Sequence, residues 1–375
     1  MIFPVRPIVQ RIIDSFRASN ACFMGLDVSL ASSGIAVVDS HGRVVHVSAS
    51  TSSGTVKGSV LHAGAALSTA LSRVAATHTI KATVIEDFLQ TFASNSSSAH
   101  TRFTLARVNG IASFEAWRYT GSPVIFAYAS SMRSYFELER GKLATPLAAS
   151  PPLETIVDTI AAKRAVARLR ASSRANAKAG VVAFVAAANP GLNLAEGGGG
   201  GSGGATGDRA DAALAAMYCF AREVELATIH ADDGAIWWQG VDALLPKVRV
   251  GKTSAVKEPH LIPALRFALR GLHTSAMEIE MNRRLVPTPT ITATATTSTT
   301  SINLKQKLLK SKTKTKKQEI SAVADAAHLP VTISAAALER LYLRLRASFT
   351  ADVKEALVSG MAKGTPPLVL WRGGV

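Results

Sequence analysis

The chain has 375 residues, 47% of them hydrophobic, enough for one large domain or two ordinary ones with a proper core. Its 42 Lys and Arg against 26 Asp and Glu give a formal charge of +16, which favours polyanionic partners such as nucleic acid or an anionic membrane surface, unless basic tails inflate the total. Two cysteines, Cys22 and Cys219, exclude a disulfide framework and a cysteine-based zinc site. No apolar run reaches the roughly 18 to 20 residues of a membrane span, so the sequence reads as soluble, with no membrane partner.

The first 20 residues, "MIFPVRPIVQRIIDSFRASN", carry Arg6, Arg11 and Arg17 among Ile, Val and Phe, with Asp14 the only acid. An Arg-rich, acid-poor, amphipathic start predicts a mitochondrial presequence and a matrix location, with a nuclear location as the alternative. The plainer reading is an N-terminal extension lying on the domain. Next come two apolar, β-branched runs, "CFMGLDVSL" and "SGIAVVD", and a third, "RVVHVSAS", behind the turn "DSHG". They predict three antiparallel strands. Residues 59–78 have Val60, Leu61, Leu67, Leu71 and Val74 near helical spacing. "ATVIEDFL" predicts a strand, 99–120 a second helix and "PVIFAYA" at 123–129 a further strand, giving the order β-β-β-α-β-α-β.

Residues 154–178 read as helix, and "GVVAFVAAA" at 180–188 fits a strand or a buried helix equally. The polyglycine insert at 191–207 reads as a linker and not a phosphate loop, because no strand feeds it and no Lys-Ser/Thr pair follows. A strongly helical segment, "DRADAALAAMYCFAREVEL", comes after it. The predicted organisation is a presequence at 1–20, an α/β domain at 21–228, an extension of unassigned fold at 229–286, a low-complexity basic linker at 287–318 and a helical segment at 319–375. The linker contains "KQKLLKSKTKTKK", with seven Lys and no acid.

Four carboxylates stand out. Asp27 sits in an otherwise apolar strand, Glu86 lies on the strand "VIEDFL", and Asp208 and Asp211 open the helix after the insert, on one face by i, i+3 spacing. Asp208 also reads as an N-cap after Gly207. Asp87 points to the other side of its strand. Brought together, the four would repel one another unless cations neutralise them, and Mg2+ is the hard, oxygen-seeking ion suited to the task. Two such ions would support phosphodiester hydrolysis, and Mn2+ can substitute. Each acid taken alone has a plainer, structural reading.

"GLDVSLASSGIAVVD", "VIEDFL" and "GDRADAALAA" together resemble the RuvC-type Holliday-junction resolvases of the ribonuclease H-like superfamily, over residues 22–226. The resemblance implies an α/β fold with a mixed five-stranded sheet followed by a further helix and flanked by helices. It implies catalytic and metal-ligating roles for Asp27, Glu86, Asp208 and Asp211, with Asp27 bridging two ions. "LARVNGIASFEAW" resembles the glycine-containing helix after the Glu strand, and Lys163 resembles a basic residue near the scissile phosphate. Arg164, Arg168 and Arg170 extend a DNA-facing surface whose plainer reading is a solvated basic face. Leu89 stands where bacterial members place an aromatic wedge, leaving Phe88 or Phe92 to part base steps.

The expected function is therefore a magnesium-dependent, structure-selective endodeoxyribonuclease acting on Holliday junctions or related branched DNA. A two-fold homodimer suits the two equivalent strands of a junction. The rival expectations are a nuclease for flaps or RNA hybrids, and a non-catalytic ribonuclease H-like protein that binds RNA or assists organellar ribosome assembly.

Overall fold

The computed structural model describes residues 3–51, 59–87, 99–138, 177–194, 204–245, 249–250, 254–255, 261–284 and 335–361. Two compact units emerge: Ile8–Ala227 with Ala356–Val375, and Met1–Pro7 with Thr228–Glu355.

The first unit is built on a mixed five-stranded sheet flanked by helices, the α/β arrangement expected from the sequence. Strands β1 (Cys22–Asp27), β2 (Ser32–Val38), β3 (Val44–Thr51), β4 (Ile80–Asp87) and β5 (Val124–Tyr128) lie in the order β3-β2-β1-β4-β5. β1 to β3 form an antiparallel meander, whereas β4 and β5 join β1 in parallel. Parallel neighbours need crossovers. Helices α2 (Val60–Thr77) and α3 (Ala99–Thr120) lie in those crossovers, pack against each other, and bury Leu67, Leu71 and Val74 and Val108, Ala112 and Ala116 at helical spacing. Gly64 lets the two approach, since a Cβ there would meet Ile111 Cγ2 at 3.0 Å. The expected β-β-β-α-β-α-β order is thus present, preceded by α1 (Arg6–Ala18) and followed directly after β5 by α4 (Ala129–Tyr135), which periodicity did not predict.

A longer helix, α6 (Gly204–His230), lies directly against the sheet. Side chains alternate along β1, so Phe23, Gly25 and Asp27 share a face. Along α6, Asp208, Ala212, Ala216 and Phe220 recur every fourth residue and share a ridge. Four helical residues advance about 6 Å and two strand residues about 6.6 Å, so ridge and strand stay in step. The contacts follow that register. Phe220 meets the Phe23 ring at 5.3 Å. A Cβ on Gly25 would overlap the backbone of Ala212 and Ala216, and one on Gly34 would overlap that of Asp208. Only glycine on the sheet and alanine on the helix permit this approach, and Ala210, Ala212, Ala213, Ala215 and Ala216 are fully buried.

The apolar run at 180–188 is helical: residues 177–188 form α5, resolving the strand-or-helix ambiguity. α1 buries Ile8, Val9, Ile13 and Phe16, and Phe16 packs on Phe23 at 5.3 Å. α1 is accordingly both amphipathic and packed.

The second unit contains α7 (Ala235–Leu244), the short antiparallel pair β6 (Arg249–Val250) and β7 (Ser254–Ala255), α8 (Leu261–Arg284) and most of α9 (Ala335–Met361). Its core is aromatic. Trp237 stacks on Phe3 at 5.7 Å and on His273 at 4.8 Å, and Phe349 meets Phe3 edge-on at 5.2 Å. The Phe3 backbone N–H donates to Asp352 Oδ2 at 2.5 Å, and Gly240 leaves the space that the Phe3 ring fills. Burial among these rings, with help from Arg346 and His230, lowers the pKa of His273 to about 4. Among the described residues, no helix is long and apolar enough to cross a membrane.

Candidate active site

Asp27 ends β1 and Glu86 lies near the end of β4. Leu26 pairs with Ile85 across those parallel strands, so the next residues, Asp27 and Glu86, leave the sheet at one level. Gly34 pairs with Asp27 on the other side and admits α6, which brings Asp208 and Asp211 over the strand ends. Carboxylate oxygens from Asp27, Glu86 and Asp211 consequently lie within 4.8 Å of one another. Asp208 joins through Lys178 of α5, whose Nζ is 3.6 Å from Asp208 Oδ1 and 3.7 Å from Asp211 Oδ2. Asp87 is not in the cluster, as strand alternation requires.

Local hydrogen bonds fix both strand ends. After Asp27, Ser29 Oγ donates to Ser32 O at 2.6 Å, while Ser33 Oγ donates to Ser29 O at 3.1 Å and accepts from the Ser29 N–H at 3.2 Å. This serine-rich turn tightens the β1–β2 connection. Asn109 of α3, buried, donates from Nδ2 to Glu86 O at 3.3 Å. Arg133 reaches in from α4 and donates from a guanidinium nitrogen to Asp211 Oδ1 at 3.4 Å.

Burial raises the Asp27 pKa well above the usual carboxylate range, reinforced by Glu86, Asp211 and Asp208 and opposed by Lys178. Glu86 is pushed up to about 7 by burial and by Asp211, against the pull of Arg133 and Lys178. Burial also raises Asp211, opposed by Arg133 and Lys178. For Lys178, burial works against the charge, yet Asp211, Asp208 and Asp27 outweigh it and the pKa rises. Acids this close resist simultaneous ionisation without added positive charge. The donors are all carboxylate oxygens, with no Cys or His in the group, which fits a hard divalent ion and not a thiolate- or imidazole-seeking one.

The structure therefore gathers Asp27, Glu86, Asp208 and Asp211 from three separate elements. Phe88, Phe92, Lys163, Arg164, Arg168 and Arg170 lie outside the described residues, as do Leu89, the 287–318 linker and most of the 154–178 helix. One expectation needs correction. Asp208 is not an N-cap, because α6 begins at Gly204 and Asp208 already lies a turn inside it. The glycine-rich sequence hid that start, and packing on the sheet carries the helix. Arg133 escaped sequence reading because it is the only basic residue between Tyr119 and Glu139 and belongs to no motif. Gly25 and Gly34 did carry a signal, as glycines inside strands mark close backbone approach.

No protein family's sequence model matches this chain. No curated protein matches it either. Among solved structures, it is similar to RuvC of Thermus thermophilus in complex with a Holliday junction substrate, at 13% identity and a TM-score of 0.32, covering 54% of this chain and 96% of that one. A second structure of Thermus thermophilus RuvC gives 12% identity and a TM-score of 0.29, covering 53% of this chain and 95% of that one.

Proposed function

We propose that the protein is a magnesium-dependent, structure-selective endonuclease acting on branched DNA, with Holliday junctions the preferred substrate. The observation that carries this reading is the convergence of Asp27, Glu86 and Asp211 within 4.8 Å, with Asp208 alongside. A purely structural role gives little reason to bury and crowd acids whose ionisation the fold itself disfavours.

In this reading Asp27, Glu86, Asp208 and Asp211 would hold two ions. Magnesium bound there would supply an activated water and charge stabilisation for the leaving oxygen of a phosphodiester. The chain's own contribution is positional. The β1–β2 serine turn and Asn109 hold the two strand carboxylates, Arg133 holds Asp211, and the close seat of α6 sets the spacing between helix and strand acids. Lys163, Arg164, Arg168 and Arg170, with Phe88 or Phe92, belong to this proposal as DNA contacts on sequence grounds. So does a homodimer with two symmetric sites, and light scattering with and without junction DNA tests it: a monomeric mass in both would remove it.

A mitochondrial location is proposed from Arg6, Arg11 and Arg17 on the amphipathic α1. Because that helix is packed in the folded protein, an import signal there would be read before folding. Residues 1–25 fused to a reporter test this, and a diffuse cytosolic signal counts against it.

The decisive experiment is cleavage of a labelled four-way junction beside linear duplex, flap and RNA hybrid, in magnesium or EDTA, with wild type and Asp27→Asn. Metal-dependent paired nicks in the junction, reduced to background by the substitution, are expected. Binding without cutting of any substrate would instead assign the chain to the non-catalytic nucleic-acid binders.

A further inference from the structure

The two cations at the acidic cluster differ in a way the endonuclease reading does not require. Both oxygens of Asp211 are engaged by the protein: Arg133 lies 3.4 Å from Oδ1, and Lys178 Nζ lies 3.7 Å from Oδ2 while also standing 3.6 Å from Asp208 Oδ1. A metal that uses Asp211 therefore brings its charge close to both of them, and repulsion favours the departure of the one held less firmly. Arg133 is the poorer candidate to leave. Its side chain is 19% exposed and donates a hydrogen bond from within the fold. The Lys178 side chain is 49% exposed, and its contacts are too long for directed hydrogen bonds, so charge alone holds it. Its stem lies across the start of α6 beside Gly207, where even a Cβ would be in ordinary contact at 3.4 Å from Cδ and Nζ, so nothing there clamps it.

We infer that Lys178 is an exchangeable counter-ion for the carboxylates: its ammonium holds the Asp208–Asp211 position until a divalent cation enters and displaces it toward solvent. This rests on the metal site proposed above and adds a competitor to it. Metal affinity is then set by a contest within the chain. Asp27 and Glu86 have no ion pair among the described residues, so an incoming ion meets two bare carboxylates on the strands and one guarded pair on the helix.

The test uses the full chain and Mn2+ as the probe, with binding read by electron paramagnetic resonance or calorimetry. Lys178→Met keeps the length and removes the charge; it should bind Mn2+ about three- to tenfold more tightly, the scale of a partly exposed ion pair. Lys178→Arg should stay close to wild type. Independently, Mg2+ at constant pH should increase acylation of the Lys178 amine in wild type, read by mass spectrometry. Equal Mn2+ affinity in wild type and Lys178→Met, with unchanged acylation, overturns the exchange and leaves the metal site intact. No Mn2+ bound by either protein, as with Asp27→Asn, overturns the exchange and the metal site together.

Discussion

The two units solve opposite packing problems. In the sheet unit, small residues do the work: Gly25, Gly34 and the alanines of α6 remove side chains until helix backbone lies on strand backbone. The second unit is filled by bulk, with Phe3, Trp237, His273, Tyr342 and Phe349 meeting both stacked and edge-on. Bulk buries more apolar area and favours stability. Close approach favours geometry, since a helix seated on bare backbone has little freedom to slide, and here that helix carries two of the four acids. The difference teaches where to look for chemistry in an unassigned chain: at the place where side-chain volume has been surrendered, not where it has accumulated.

The sharpest way to break this contrast is Trp237→Ala. Truncating a fully buried tryptophan costs about 3–5 kcal/mol. The loss should appear in the melting of the second unit while Mn2+ binding at the carboxylates persists. Parallel loss of Mn2+ binding would show that the aromatic core supports the site. Gly34→Val should be gentler on stability, about 1–3 kcal/mol as overpacking goes, yet harsher on geometry. It drives α6 off β2 beside Asp27, so Mn2+ binding and junction nicking should both fall to background in a protein that still folds by circular dichroism. Retained metal binding would mean that α6 can shift without separating the acids.

The mildest effect concerns pH. Glu86 rises from an ordinary 4.5 to about 7 in the folded chain, so the native state holds a proton that the unfolded chain has lost. Its contribution to stability is therefore complete below about pH 4.5 and fades as pH climbs toward 7. Thermal melts in EDTA should slope downward across that window, Glu86→Gln should flatten the slope, and saturating Mg2+ should offset it because the ion favours the ionised carboxylates. A wild-type slope identical to that of Glu86→Gln would remove the assignment.

Much of the sheet unit was legible because its signals are local. Alternation and turn chemistry placed the strands, and helical spacing placed α2 and α3. Asp27 stood out because a charge interrupted an apolar strand, and Asp208 with Asp211 because their spacing is helical. What escaped depends on topology. Arg133 becomes meaningful only once α4 follows β5 to the strand ends, and the counter-ion position of Lys178 only once α5 reaches α6. The apolar 180–188 run was ambiguous because its sequence is apolar throughout and so shows no periodicity, although the helix buries only Val181, Phe184, Val185 and Ala188. The second unit was illegible for a simpler reason: the side chain that completes its core is Phe3, hundreds of residues from its partners.

That separation bears on how the chain is made. The Phe3 N–H and Asp352 that meet in one core are 349 positions apart. At ordinary elongation rates, roughly 20 to 70 seconds divide their synthesis. Most of the sheet unit can assemble from residues already released, whereas the aromatic core must wait for α9, leaving Phe3 without its native cover in the meantime. A ribosome that stops before α9 would release a chain with its acids gathered and its N-terminus sticky, the kind of product a holdase chaperone captures.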